Sequence, residues 1–215
     1  MIVTNCIDEY FHLIKTRPNL FTESQTYPII TDRSEIEKFQ QETGQRVGVI
    51  YKSRYIMLVV DLIKDENGTF LYERIIPTAQ GKAVVCVPII DGKLVLLNQY
   101  RHSIRNMQLC FPRGFGEDGL SAEDNAKKEI FEEIGGCIER CVHLGSVAPD
   151  SGLTSTECEV FVCYLTSFSD KNKTEGIYEI LLLSEQEVET KIKNREIKDA
   201  FTLSAYTLFK TRRKE

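Results

Sequence analysis

The chain has 215 residues, 42% of them apolar and 27% charged, with a formal net charge of −5. This supplies one good core and a small accessory segment, and the mild acidity argues against nucleic acid as a partner, since phosphate-backbone binding draws on clustered Lys and Arg. No apolar run is long enough to span a bilayer, and the opening MIVTNCIDEYFHLIK lacks the basic flank and cleavage site of a leader, so a cytoplasmic protein with no membrane partner is expected.

In chain order, residues 8–16 and 34–43 have helical periodicity, interrupted at Arg17-Pro18-Asn19 and Tyr27-Pro28, where proline restricts the residue before it. A small helical preface over 1–44 is expected, ahead of a main domain over 45–215. Residues 54–63 and 69–76 read as a hairpin across Asn67-Gly68. Ala83–Ile90 and Lys93–Arg101 read as another across Asp91-Gly92, a turn that needs positive φ at both central residues. Phe111-Pro112-Arg113-Gly114-Phe115-Gly116 is a glycine-punctuated loop whose backbone can approach a ligand or metal closely.

A helix follows, with Ser121 as N-cap, Asp124 in its first turn and a stop at Gly135-Gly136. Ala126, Ile130 and Ile134 form its apolar stripe, and Glu129 and Glu133 flank that stripe. Glu129 also neighbours Glu132, and each like-charged pair costs roughly 0.2–0.5 kcal/mol. Such a cluster is either a solvated acidic face or a site for hard divalent cations such as Mg²⁺, which take oxygen ligands and are completed by substrate phosphates. Position at the margin of the core favours the second. Seven cysteines scattered along the chain suit reduced, packed thiols better than a disulfide framework. Cys137, Cys141 and His143 lack the second close ligand pair of a zinc clip.

The segment from Gly114 resembles the signature of the Nudix hydrolases, G-x5-E-x7-R-E-U-x-E-E-x-G-U with U a bulky aliphatic. Glu129, Ile130, Glu132, Glu133 and Gly135 fall on their places. Leu120 stands at the early glutamate, Lys128 at the arginine and Gly136 at the final aliphatic; Glu117 and Glu123 are the candidates to replace the missing carboxylate. The order GKAVVCVPIIDGKLVLLNQYR, FPRG, the box, the proline-glycine loop 145–157 and a C-terminal helical segment 187–210 is similar to the ADP-ribose pyrophosphatase branch of that family. The likeness covers roughly residues 45–210.

The resemblance implies an α/β/α Nudix sandwich with a mixed β-sheet, plus the N-terminal helical and hairpin segment. It implies Mg²⁺-dependent (or Mn²⁺-dependent) hydrolysis of the pyrophosphate bond of a small nucleotide substrate, with ADP-ribose split to AMP and ribose 5-phosphate in the lead. Another nucleotide sugar, or a sensor that binds a nucleotide without turning it over, remains an alternative. Glu129, Glu132 and Glu133 are the implied carboxylate ligands, joined by the Arg113 carbonyl, with Glu132 and Glu133 central to catalysis. A general base is sought among Asp170, Glu175 and Glu179, with Glu175 favoured. Arg101, Arg105 and Arg113 are the candidate phosphate-binding side chains, whereas Cys110 occupies a position where similar enzymes often have glutamate. The early strands build either a homodimer, as in that branch, or an edge hairpin of the same domain.

Overall fold

The computed structural model describes Asn5–Ser169 and Gly176–Arg212. Its contacts divide it into two compact units, one running up to Thr78 and including Asp150–Thr156, the other comprising Ala79–Pro149 and the chain from Glu157 onward.

The first unit contains helices α1 (Cys6–Thr16) and α2 (Arg33–Thr43) and the antiparallel strands β1 (Gly48–Lys52), β2 (Ile56–Asp65) and β3 (Gly68–Pro77). Both helices start on side-chain caps, Asn5 accepting the Asp8 N–H and Asp32 the Glu35 N–H, and α2 stops at Gly44 in the left-handed region. Ile7, Tyr10, Leu13 and Ile36 from the helices share a core with Val49, Met57, Val59, Leu62 and Ile76 from the strands. This shared core explains why the chain divides after Thr78 rather than at residue 44. The helices alone have too little apolar surface to form a segment of their own. The loop 150–156 joins this unit through the Ile75 N–H to the Leu153 carbonyl (2.8 Å), the Ser155 N–H to the Ile75 carbonyl (3.1 Å) and the Tyr72 hydroxyl to the Gly152 carbonyl (2.6 Å).

Asp61, 1% exposed, ties the preface to the sheet. It accepts from the Tyr10 hydroxyl at 2.5 Å and pairs with Arg74 Nε, while Arg74 Nη1 donates to the Leu20 carbonyl and its guanidinium lies over the Phe21 ring. The hairpin is displaced by one residue from its expected turn. Glu66-Asn67 make the turn, Gly68 opens β3 opposite Asp65, and Asn67 has no positive φ. Asp65 Oδ1 accepts the Asn67 N–H at 2.8 Å, so a local side-chain bond sets the turn in place of left-handed backbone at Asn67.

In the second unit a mixed sheet runs β10 (Ile177–Leu183), β5 (Lys93–Arg101), β4 (Ala83–Ile90), β9 (Cys158–Ser167), β8 (Cys137–Val147), with β4 and β9 parallel. Asp91 and Gly92 both adopt positive φ at the β4–β5 turn, as the sequence requires. Beyond that turn only Ile89–Leu94 and Ile90–Lys93 pair, because the two strands diverge. Two short strands fill the opening: β6 (Asn106–Cys110) pairs with β5, and β7 (Arg113–Gly114) pairs with Val84 and Val85 of β4. The segment Phe111–Gly114 therefore lies within the sheet rather than at its rim.

One sheet face packs on α3 (Ala122–Ile134) through Val84, Cys86, Val95, Leu97, Ala126, Ile130 and Ile134. The other face packs through Val85, Val87, Leu96 and Phe111 on Val188 of α4 (Glu185–Lys193) and on Ala205 and Phe209 of α5 (Ala200–Arg212). The result is the expected α/β/α layering. The C-terminal helical segment is two helices, parted where Arg195 turns left-handed at φ 63°.

Candidate active site

Ser121 caps α3 by accepting the Asp124 N–H at 3.1 Å, and Gly135 ends the helix at φ 58°. Between these fixed ends the helix carries its glutamates past β7. Glu133 is 3% exposed, and its Oε2 accepts the main-chain N–H of Arg113 at 3.0 Å. Glu129 is half-buried, and its carboxylate lies so close to Gly114 that a Cβ there would meet Glu129 Oε1 at 1.9 Å. Consecutive residues of one strand thus meet two carboxylates of one helix, and the Arg113 carbonyl belongs to the peptide between those contacts. Only glycine leaves room for this approach.

Glu132, exposed, is 3.1 Å from Lys128 Nζ, which also sits 2.6 Å from Glu117 Oε1. The lysine at the family's arginine position therefore does have a carboxylate partner, Glu117. Glu123 instead pairs with Lys127 at 2.7 Å. The two carboxylates raise the Lys128 pKa, Glu117 most strongly. Among the described residues no three His, Cys, Asp or Glu side chains are already gathered for a metal ion. The physical reason lies in these contacts, since Glu133 is held by an amide and Glu132 by an ammonium. The donor set itself, all oxygen and cradled where a Cβ would not fit, suits a small hard cation.

The loop ahead of α3 is fixed by residues with no sequence signal. Asn125, 1% exposed, donates from Nδ2 to the carbonyls of Lys82 (3.0 Å) and Phe115 (2.9 Å), and Gln80 N–H donates to Asp118 Oδ1 at 2.6 Å. At Gly116 a Cβ would meet the Gly81 carbonyl at 1.9 Å, so the two backbones run in direct contact.

The three arginines are placed differently. Arg101 Nη2 donates to Cys110 Sγ at 3.3 Å, and among the described residues its buried Nε has no hydrogen-bond partner. Arg113, expected to offer its side chain to phosphate, instead turns it to the α5 face. The guanidinium stacks 4.0 Å over Phe201 and lies 3.5 Å from Asp199 Oδ1. Burial pulls its pKa down, and the Asp199 charge beside it works in the opposite direction. Alternation along the strand explains this, because Arg113 registers with Val85, whose side chain faces α5. Arg105 forms a separate local group with His102 Nδ1 at 3.1 Å and the Tyr100 ring at 6.0 Å.

Glu175 and Asp170 lie outside the described residues, and Glu179 is exposed on β10 opposite Asn98. The flanks of that segment are fixed: Ser169 N–H donates to the Ile134 carbonyl at the end of α3, and Tyr100 N–H to the Gly176 carbonyl, both at 2.9 Å.

A glutamate-bearing helix against a glycine strand, inside a mixed sheet layered between helices, defines the Nudix class. The model of the NUDIX domain matches residues 79–210, and the chain belongs to that family. It is 32% identical over 100 residues to the ADP compounds hydrolase NudE of Escherichia coli K12; the match takes in 46% of this chain and 53% of that protein, about half the relative's length. It is 25% identical over 173 residues to the methanol dehydrogenase activator of Bacillus methanolicus, covering 78% and 92% of the two chains. A crystal structure of an ADP compounds hydrolase superposes with a TM-score of 0.66 at 22% identity, over 77% of this chain and 90% of that one, and shares its fold.

Proposed function

We propose that the chain is a metal-dependent Nudix pyrophosphohydrolase acting on a nucleoside diphosphate joined to a second moiety, with ADP-ribose, giving AMP and ribose 5-phosphate, as its leading substrate. The observation that carries this reading is the meeting of Arg113 and Gly114 with Glu133 and Glu129, which brings box carboxylates and a peptide carbonyl to one place. The E. coli relative's name, an ADP compounds hydrolase, supports the adenine diphosphate part of it.

Glu129, Glu132, Glu133 and the Arg113 carbonyl would hold Mg²⁺ or Mn²⁺, which when bound neutralises phosphate oxygens and acidifies water. The chain's own groups prepare the rest. The Arg113 N–H keeps the Glu133 carboxylate aimed by a charge-assisted hydrogen bond. Lys128 balances Glu132, and Glu117 holds Lys128 in turn. Arg101 is the candidate to offer its guanidinium to a phosphate oxygen, a task for which the planar fork is suited. Glu175 is the candidate to take the proton from the attacking water, which must be positioned by the protein before it can displace the phosphate in line.

The test is chromatographic detection of AMP from ADP-ribose, with Mg²⁺ or with EDTA, beside ADP-glucose and UDP-glucose. Metal-dependent AMP release is expected. Faster turnover of a sugar nucleotide would move the substrate assignment, and saturable binding without turnover of any compound would make the domain a sensor.

A further inference from the structure

Asp199 and Thr202 are 5% and 1% exposed, and polar side chains so deeply buried are kept only where they are satisfied and useful. Asp199 Oδ2 accepts the Thr202 N–H at 3.0 Å, three residues on, as the N-cap of α5, and it also accepts the Thr202 hydroxyl at 2.7 Å. Capping alone would be complete with the first bond. The hydroxyl does something more: its oxygen accepts the main-chain N–H of Phe111 at 2.9 Å, from a residue 91 positions earlier. Asp199 Oδ1 meanwhile faces the Arg113 guanidinium, which rests on Phe201. The first turn of α5 thus grips Arg113 of β7, the strand that carries the site, and Phe111 just before it.

The same three-residue stretch is held from two other directions. The Pro112 carbonyl accepts the Cys86 N–H of β4 at 2.9 Å, and the Arg113 N–H reaches Glu133 of α3. Three elements fix three consecutive residues, and only the α5 grip depends on a side-chain hydroxyl. We infer that Thr202, oriented by Asp199, is a positioning residue of the active site: it sets the strand from the α5 side so that the Arg113 main chain stays within reach of Glu133. This inference rests on the metal-site reading above for its effect on activity, but the positioning itself is a property of the metal-free chain.

The experiment compares full-length wild type, Thr202→Val and Thr202→Ser. Valine keeps the shape and removes the acceptor; serine restores the acceptor. Amide exchange of the Arg113 N–H, resolved by NMR in metal-free protein, is the primary readout, because that amide bonds to Glu133 and not to Thr202. Thr202→Val is expected to speed this exchange on the order of tenfold, to weaken Mn²⁺ binding (free Mn²⁺ counted by EPR) on the order of tenfold, and to lower kcat with the nucleotide KM unchanged, as loss of an outer partner of a ligand does. Thr202→Ser should return all three toward wild type. Arg113 exchange as slow in Thr202→Val as in wild type overturns the inference, as does failure of serine to restore it. If Thr202→Val does not fold, Asp199→Asn, which weakens the orientation of the hydroxyl, takes its place: faster Arg113 exchange supports the inference and unchanged exchange overturns it. Wild type that binds no Mn²⁺ and turns over no nucleotide would instead defeat the metal-site reading, and the Arg113 exchange would then decide the positioning role alone.

Discussion

Replacing Gly114 with alanine tests the site by a single methyl group. Gly114 has no positive φ, so alanine can take its backbone conformation without strain. The new Cβ would lie 1.9 Å from Glu129 Oε1, 2.0 Å from its Cδ and 2.4 Å from Oε2, so the carboxylate must retreat by about 1.5 Å to reach ordinary contact. The neighbour that yields is the end of a flexible side chain, not backbone, so the fold should survive with a loss of about 1–3 kcal/mol. Catalysis should not survive, because misplacement of a reacting or ligating group by about 1 Å costs on the order of 10²-fold. The assay is initial-rate hydrolysis of ADP-ribose across a Mg²⁺ titration, with circular dichroism and thermal unfolding as controls. A folded Gly114→Ala variant with wild-type kcat and wild-type Mg²⁺ requirement would refute the placement of Glu129 beside the strand as the basis of the site.

Other outcomes follow from the same contacts. Lys128→Met should change stability by less than about 1 kcal/mol, since the Lys128–Glu117 pair is well exposed, yet it should raise the Mg²⁺ needed for half-maximal rate; the double exchange Glu117→Lys with Lys128→Glu failing to recover any of that loss beyond Lys128→Glu alone would show the pair is incidental. Tyr10→Phe leaves buried Asp61 one donor short and should cost about 1–3 kcal/mol by denaturant titration. Burial, then the Asp61 charge and hydrogen bond, pushes the Tyr10 hydroxyl well above its usual range. Its contribution is therefore complete below about pH 10 and lost as pH rises beyond it, so an alkaline stability profile identical in wild type and Tyr10→Phe would contradict the buried contact. Cys141 and Cys163 face each other at 3.5 Å across β8 and β9, and that contact with burial holds the Cys141 thiol far up. Maleimide at neutral pH should therefore modify exposed Cys137 well before Cys141; peptide mapping that finds Cys141 labelled as fast would overturn this.

Local rules read well from this sequence, and long-range ones did not. The Asp91-Gly92 turn, the Ser121 cap and the Gly135 stop each depend on one residue's own conformational preference, and each stands where the sequence puts it. The box glutamates share a helix, so their grouping follows from helical spacing alone. The Asn67-Gly68 turn moved by one residue because Asp65 offered a competing bond. The divergence of β4 from β5, and the two short strands that fill it, left no periodicity to detect in five and two residues. Lys128 and Glu117 are eleven residues apart, a pairing the family signature left open between Glu117 and Glu123, whereas Phe111 and Thr202, ninety-one apart, have no sequence signature. Arg113 looked like a phosphate fork because its residue type fits that task, while its facing toward α5 was set by register with Val85.

If the box glutamates make the chain a metal-dependent pyrophosphohydrolase, Glu133→Gln tests that role most directly. Glutamine keeps an oxygen for the Arg113 N–H but removes the charge that a cation requires. The measurement is AMP release from ADP-ribose with saturating Mg²⁺, alongside wild type and wild type with EDTA. Turnover is expected in wild type and none with EDTA, with a loss on the order of 10²-fold or more in the folded variant. Full Mg²⁺-dependent turnover by Glu133→Gln would contradict it.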